Sequence, residues 1–156
     1  MRKFAVLLVA VPVVLFLAAC ATCDPDEKVT IQAQTGTDLN TYLEGGKVGA
    51  HSLDVYVFKV DDPTSFLANE PGRLSVPEQG VVPGGQNIGL FMIQPGEKPL
   101  LDLGTMGIDR WTAIGLYVAF GNPANTGEAV KAVLELPGDC GYVLTLGSNT
   151  IVTFTD

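Results

Sequence analysis

Cys20 is the residue of this 156-residue chain whose setting most plainly specifies a reaction. It closes the run Leu15-Phe16-Leu17-Ala18-Ala19-Cys20, which follows the charged start Met1-Arg2-Lys3 and the apolar stretch Phe4 to Ala19. A charged start, a short apolar segment and small residues before the cut are the three parts of a secretory signal. With a cysteine directly after the small residues, Leu17-Ala18-Ala19-Cys20 matches the lipobox pattern of bacterial lipoproteins. In that pattern the cysteine sulfur becomes a diacylglyceryl thioether, and the amine freed by cleavage takes an acyl chain such as palmitate. A membrane-spanning anchor is the alternative. The sixteen residues Phe4 to Ala19 fall short of the ~20 needed to cross a bilayer, and Pro12 interrupts them. One acyl chain holds a protein marginally, whereas two or more give stable anchoring. Ala21, and not Asp, follows the cysteine; by the sorting rule for such lipoproteins the address is the outer membrane, with the body facing the periplasm.

The other reactive side chains suggest less. Cys20-Ala21-Thr22-Cys23 has the form of a CxxC redox motif, but lipidation consumes its first thiol and no βαβ pattern surrounds it. Cys23 and Cys140 remain in an oxidising compartment, where an even pair usually bonds; two free thiols are the alternative. A Cys23–Cys140 bridge would stabilise the fold by about 4–5 kcal/mol in the chain-entropy model. His51 is the single histidine and has neither a second histidine nor a cysteine nearby, so it makes a poor metal site. Asp24-Pro25-Asp26-Glu27 lacks the spacing and glycine of an EF-hand loop. Gly84-Gly85 lacks the Lys-Ser/Thr of a phosphate loop. Trp111 and Tyr117 share a strand face that suits core or edge packing better than a sugar platform. No enzyme activity, cofactor or metal is expected.

These residues sit on about one domain's worth of chain. Three parts are expected: a signal peptide at 1–19, a lipidated tether at 20–28 and a β-sandwich at 29–156. Without Arg2 and Lys3, seven Lys and Arg face seventeen Asp and Glu, a net charge of −10. Such acidity argues against nucleic acid and against electrostatic docking on anionic headgroups, so the lipid on Cys20 must hold the protein to the membrane.

After the tether, short β-rich segments alternate with Gly, Pro, Asn and Asp. Val29, Ile31 and Ala33 alternate with Thr30, Gln32 and Gln34, a half-buried strand. Leu53 to Val60 is apolar on both faces, as a central strand would be. Ile88 to Ile93 and Leu100 to Leu103 flank a Gln94-Pro95-Gly96-Glu97 turn. Trp111 to Phe120, Val130 to Leu136, Tyr142 to Leu146 and Thr150 to Phe154 complete the set, the last two joined at Gly147-Ser148-Asn149. One helix is expected: Asp62 caps it, Pro63 takes its first position, and Thr64 to Asn69 runs until Pro71-Gly72 stops it. The fold class is therefore all-β, an antiparallel two-sheet sandwich with one short helix after the second strand.

The order of segments adds a resemblance. Thr37-Asp38-Leu39-Asn40 precedes a glycine-bearing loop and then Leu53-Asp54-Val55-Tyr56-Val57-Phe58-Lys59. The Thr64-Ser65-Phe66 helix, the Pro95-Gly96-Glu97 turn and Ile114-Gly115-Leu116-Tyr117-Val118-Ala119-Phe120 follow. This succession resembles the type VI secretion outer-membrane lipoprotein family (TssJ, also called SciN) over most of the mature domain. Asp54 stands where that family often has Arg, Gly121 where it often has Arg-Asp, and its late Trp-Arg is missing from Ala129 to Leu136. The resemblance implies a transthyretin-like sandwich without catalysis. It also implies binding to the periplasmic C-terminal region of the inner-membrane partner TssM, through a loop that corresponds here to about Gly36 to His51. A different class, a periplasmic sandwich lipoprotein capturing a small ligand or cell-wall material near Trp111 and Tyr117, is the alternative.

Strand tracing gives that loop neighbours. With Val29 and the Cys140 turn near the membrane, Gly36 to His51, Gly147 to Asn149 and Gly121 to Glu128 all fall at the far end. Leu39, Asn40, Tyr42 and Leu43 are the expected partner contacts, since apolar side chains on a polar loop are what a binding hot spot uses. Alternatively, Leu39 and Leu43 fold back to cover the sandwich's open end.

Overall fold

The computed structural model describes residues 29–104, 113–122, 130–134 and 141–155. In chain order it contains β1 (Thr30–Thr35), β2 (Tyr42–Glu44), β3 (Lys47–Gly49), β4 (Leu53–Val60), α1 (Pro63–Leu67), α2 (Pro71–Leu74) and β5 (Val81–Val82). β6 (Gly85–Ile93), β7 (Leu100–Asp102), β8 (Ala113–Ala119), β9 (Lys131–Leu134), β10 (Gly141–Leu146) and β11 (Ile151–Thr155) follow. Four strands form one sheet in the order β11-β10-β1-β7, and five form another in the order β5-β6-β4-β8-β9. β2 and β3 form a separate two-stranded ribbon. Ile31, Ala33 and Leu144 from the first sheet and Val55, Val57 and Leu116 from the second are buried in one core. The expected two-sheet sandwich is present.

Period-two alternation explains the inner faces. In β1 the buried residues are Ile31 and Ala33, with Gln32 and Gln34 turned outward. β4 lies between β6 and β8 and is buried on both faces. Val55 and Val57 face the opposite sheet. Phe58 and Val60 belong to the other face, where the Phe66 ring of α1 covers them; the Phe58 and Phe66 centroids lie 5.0 Å apart. Gly115, paired opposite Phe58, makes room for that ring. A Cβ on Gly115 would lie 2.6 Å from Val60 Cγ2 and 2.8 Å from Phe66 Cζ.

Asp62 caps α1 as expected, its carboxylate accepting from the Thr64 and Ser65 backbone N–H groups, with Pro63 at the first helical position. The structure departs from the sequence reading in three places. One pair in the sandwich is parallel: β1 and β10 run side by side from Thr30↔Gly141 to Thr35↔Leu146. The long intervening chain supplies the crossover such a pair requires, and the register puts Ile31 beside Tyr142 and Ala33 beside Leu144 on the core side. Second, β2 and β3 precede the strand expected as second, so α1 follows β4. Third, Pro71-Gly72 opens a second helical turn, α2, instead of only stopping the first, because proline suits a helix's first turn.

Candidate partner-binding surface

The β2–β3 ribbon stands at the end of the sandwich where β1 finishes and β4 begins. Gly45 and Gly46, with φ of 57° and 81°, form its turn; two successive positive φ values suit a tight hairpin and favour glycine. Leu43 and Val48 pair directly across the ribbon and share a face. They are 66% and 72% exposed, an apolar ridge on an otherwise polar element. The neighbouring positions, Tyr42 and Glu44, take the other face. Tyr42 is held between two surfaces: its ring stacks on His51 at 4.0 Å, and it rests on Gly121, where a Cβ would come within 2.6 Å of it. His51 Nδ1 lies 3.4 Å from the Glu44 carboxylate, and its Nε2 is buried without a hydrogen-bond partner.

The base of the ribbon is tied to the body from several sides. The Thr41 N–H donates to Ser148 O at 3.1 Å and the His51 N–H to Leu39 O at 3.1 Å. Asn40 adopts φ 50°, a conformation its short polar side chain tolerates. Its Nδ2 donates to Ser52 O at 2.6 Å, and its Oδ1 accepts from the Gly121 N–H at 2.8 Å. Three carbonyl oxygens surround one end of the Asn149 amide, Thr41 O and Asn122 O at 3.0 Å and Ser148 O at 2.8 Å, which assigns the nitrogen to that end, its two N–H groups shared among the three acceptors. Thus the three loops that tracing placed at one end do meet there, as far as the described residues 36–52, 121–122 and 147–150 run.

The four residues expected to contact a partner divide. Leu43 is exposed, Tyr42 is half-buried as a brace, and Leu39 and Asn40 are buried. Leu39 packs in the core and Asn40 ties loops together, so of the four only Leu43 stands fully out in solvent. Val48 was missed. The signal that finds it is the Gly45-Gly46 pair between two triplets, a hairpin signature. Cys20, Cys23, Cys140 and Trp111 lie outside the described residues. Tyr117 is nearly buried, with its ring 5.6 Å from Tyr56. Among the described residues no group of three or more His, Cys, Asp or Glu could hold a metal, and no helix is long and apolar enough to cross a membrane.

The architecture is therefore a two-sheet β-sandwich that presents a braced, apolar-ridged ribbon at one end, a geometry suited to recognising a protein. The same fold is found in components of the type VI secretion machinery. It matches the lipoprotein TssJ1 from Pseudomonas aeruginosa with a TM-score of 0.56 and 20% identity, over 83% of this chain and 95% of that one. It matches a chain of a type VI membrane complex with a TM-score of 0.63 and 20% identity, over 81% of this chain and 96% of that one. A chain in the structure of the TssM C-terminal domain from EAEC gives a TM-score of 0.56 and 18% identity, over 83% and 98%. No family model matches the sequence, and no curated protein matches it.

Proposed function

We propose that this chain is the outer-membrane lipoprotein of a type VI secretion system, binding the periplasmic C-terminal region of TssM and so anchoring the envelope-spanning complex. The observation that carries the reading is the extent of the fold likeness, which covers 95–98% of the matched chains. The lipobox at Leu17 to Cys20 agrees with it independently. In this reading residues 1–19 are removed, Cys20 carries the lipid, residues 20–28 form the tether and the sandwich from residue 29 faces the periplasm. A Cys23–Cys140 bridge leaves only Ala21 and Thr22 between lipid and fold, a reach of roughly 10 Å. The protein acts by binding and not by catalysis.

The partner surface is the Leu43–Val48 ridge together with the loops beside it. Full burial of a Leu or Val side chain is worth about 1.5–3 kcal/mol, and each 1.4 kcal/mol is about tenfold in affinity. Leu43→Asp combined with Val48→Asp should therefore weaken capture of the TssM region by the mature protein at least tenfold. The thermal transition should stay nearly unchanged, because both side chains are already in water. Unchanged capture would remove the ridge from the interface, and failure of the wild-type protein to bind would overturn the reading itself.

A further inference from the structure

Resting on that partner reading, we propose that Asn40 and Asn149 are positioning residues for the interface: they staple the ribbon to two neighbouring loops and so present the Leu43–Val48 ridge in a preformed orientation. An isolated two-stranded hairpin is marginally stable in water, and among the described residues this ribbon has no third strand. Its glycine turn sets the ribbon's own conformation but not its orientation on the body. That orientation depends on contacts at the base, and the two asparagines supply complementary ones.

Asn40, just before β2, joins Ser52, immediately before β4, to Gly121 at the exit of β8. Asn149, in the β10–β11 loop, joins Thr41 to Asn122. Asn40 thus ties the base of the ribbon to the Gly121 loop, and Asn149 ties both of these to the β10–β11 loop, so the two side chains start from different loops and share the Gly121 side. Asn40 is buried and touches only backbone groups of this chain in these bonds. Tyr42 adds a third brace, with His51 on one side and Gly121 on the other. A residue of this kind affects affinity through the fraction of molecules whose binding surface is in place: apparent Kd equals the intrinsic Kd divided by that fraction. A ribbon seated a tenth of the time binds about tenfold more weakly with every contact residue intact.

The test uses the full mature protein with Asn40→Gly and Asn149→Ala, measuring amide hydrogen exchange over residues 42–49 and affinity for the TssM periplasmic region. Glycine at position 40 accepts a positive φ, so the backbone there is not strained by the change. Faster exchange confined to the ribbon and about tenfold weaker binding in each variant, at a temperature where both are folded, is the expected result. Wild-type exchange across 42–49 overturns the staple whatever the partner does, and faster exchange with undiminished affinity overturns its role in the interface. If the wild-type protein does not bind TssM, the partner reading fails, while the exchange comparison still decides the staple. Should Asn40→Gly not fold, Gly121→Ala takes its place. It displaces the Tyr42 ring from the opposite side and should release the ribbon in the same way; unchanged exchange in that variant counts against the proposal.

Discussion

Replacing Lys131 by Met should destabilise the sandwich although the side chain's volume is kept. Lys131 lies on β9 and is 8% exposed. Its Nζ donates to Leu67 O, at the end of α1, and to Asn69 O at 2.8 Å. Helix ends leave carbonyl groups without partners inside the helix, and α1 is too short to hold itself together. The ammonium supplies those partners from a strand more than sixty residues away. In Lys131→Met the apolar stem still packs, but both acceptors lose their donor. A hydrogen bond to a charged group is worth ~1.5–3 kcal/mol, so two set an upper figure of ~3–6 kcal/mol. Relief from burying a cation returns part of that, leaving a loss of about 2–3 kcal/mol. At ~3–5 °C per kcal/mol for a domain of this size, Tm should fall by ~6–15 °C in a circular-dichroism melt of the mature protein. Hydrogen exchange should quicken first at residues 66–69. A variant as stable as wild type, or more stable, would refute the view that α1 depends on this cation for its closure.

Two further outcomes are expected. The Ser65 hydroxyl, and then the Ser65 and Thr64 backbone N–H groups, hold the Asp62 carboxyl below the ordinary aspartate value of 3.8. A depressed carboxylate contributes its full stability above the unfolded value and loses it as pH falls through the folded one. The stability difference between wild type and Asp62→Ala should therefore be constant above about pH 5 and shrink on acidification; a difference unchanged to pH 2 would contradict the cap's charge dependence. Mass spectrometry of the non-reduced protein extracted from membranes should find an acylated N-terminal peptide at Cys20, linked through Cys23 to the Cys140 peptide. Free thiols at 23 and 140 would exclude the bridge, and an unmodified Cys20 would exclude the anchor.

Much of the sandwich was legible because half-buried strands repeat with period two and their turns carry Gly, Pro and Asn. The alternation at 30–34, the doubly apolar run at 53–60 and the Asp62-Pro63 helix start each encode local geometry. Strand partners were less legible. Nothing in the alternation of Ile31 and Ala33 says that Tyr142 and Leu144 lie beside them in parallel, since that pairing is decided by chain crossover and the shape of the core. The ribbon was hidden for a different reason: three-residue strands in a glycine-rich loop have too few positions to show a period. Within it, Leu39 and Leu43 look equivalent as sequence, and Asn40 looks like a surface polar residue. Only the loop's path shows that Leu39 plugs the sandwich, that Asn40 turns inward to backbone groups, and that Leu43 and Val48 remain outside.

In the proposed arrangement, with the anchor at Cys20 and the partner at the ribbon, a pull between the two membranes would enter one end of β1 and leave from the other. β1 starts at Thr30, just after the proposed tether, and its far end leads through residues 36–41 into the ribbon. The load then travels along the covalent backbone of a single strand, and the rest of the domain has only to keep that strand from sliding. β1 is laddered to β10 on one side and β7 on the other. The mechanical strength of the anchor would thus rest on the backbone of β1 itself, and the ladders to β10 and β7 would serve only to hold that strand in register.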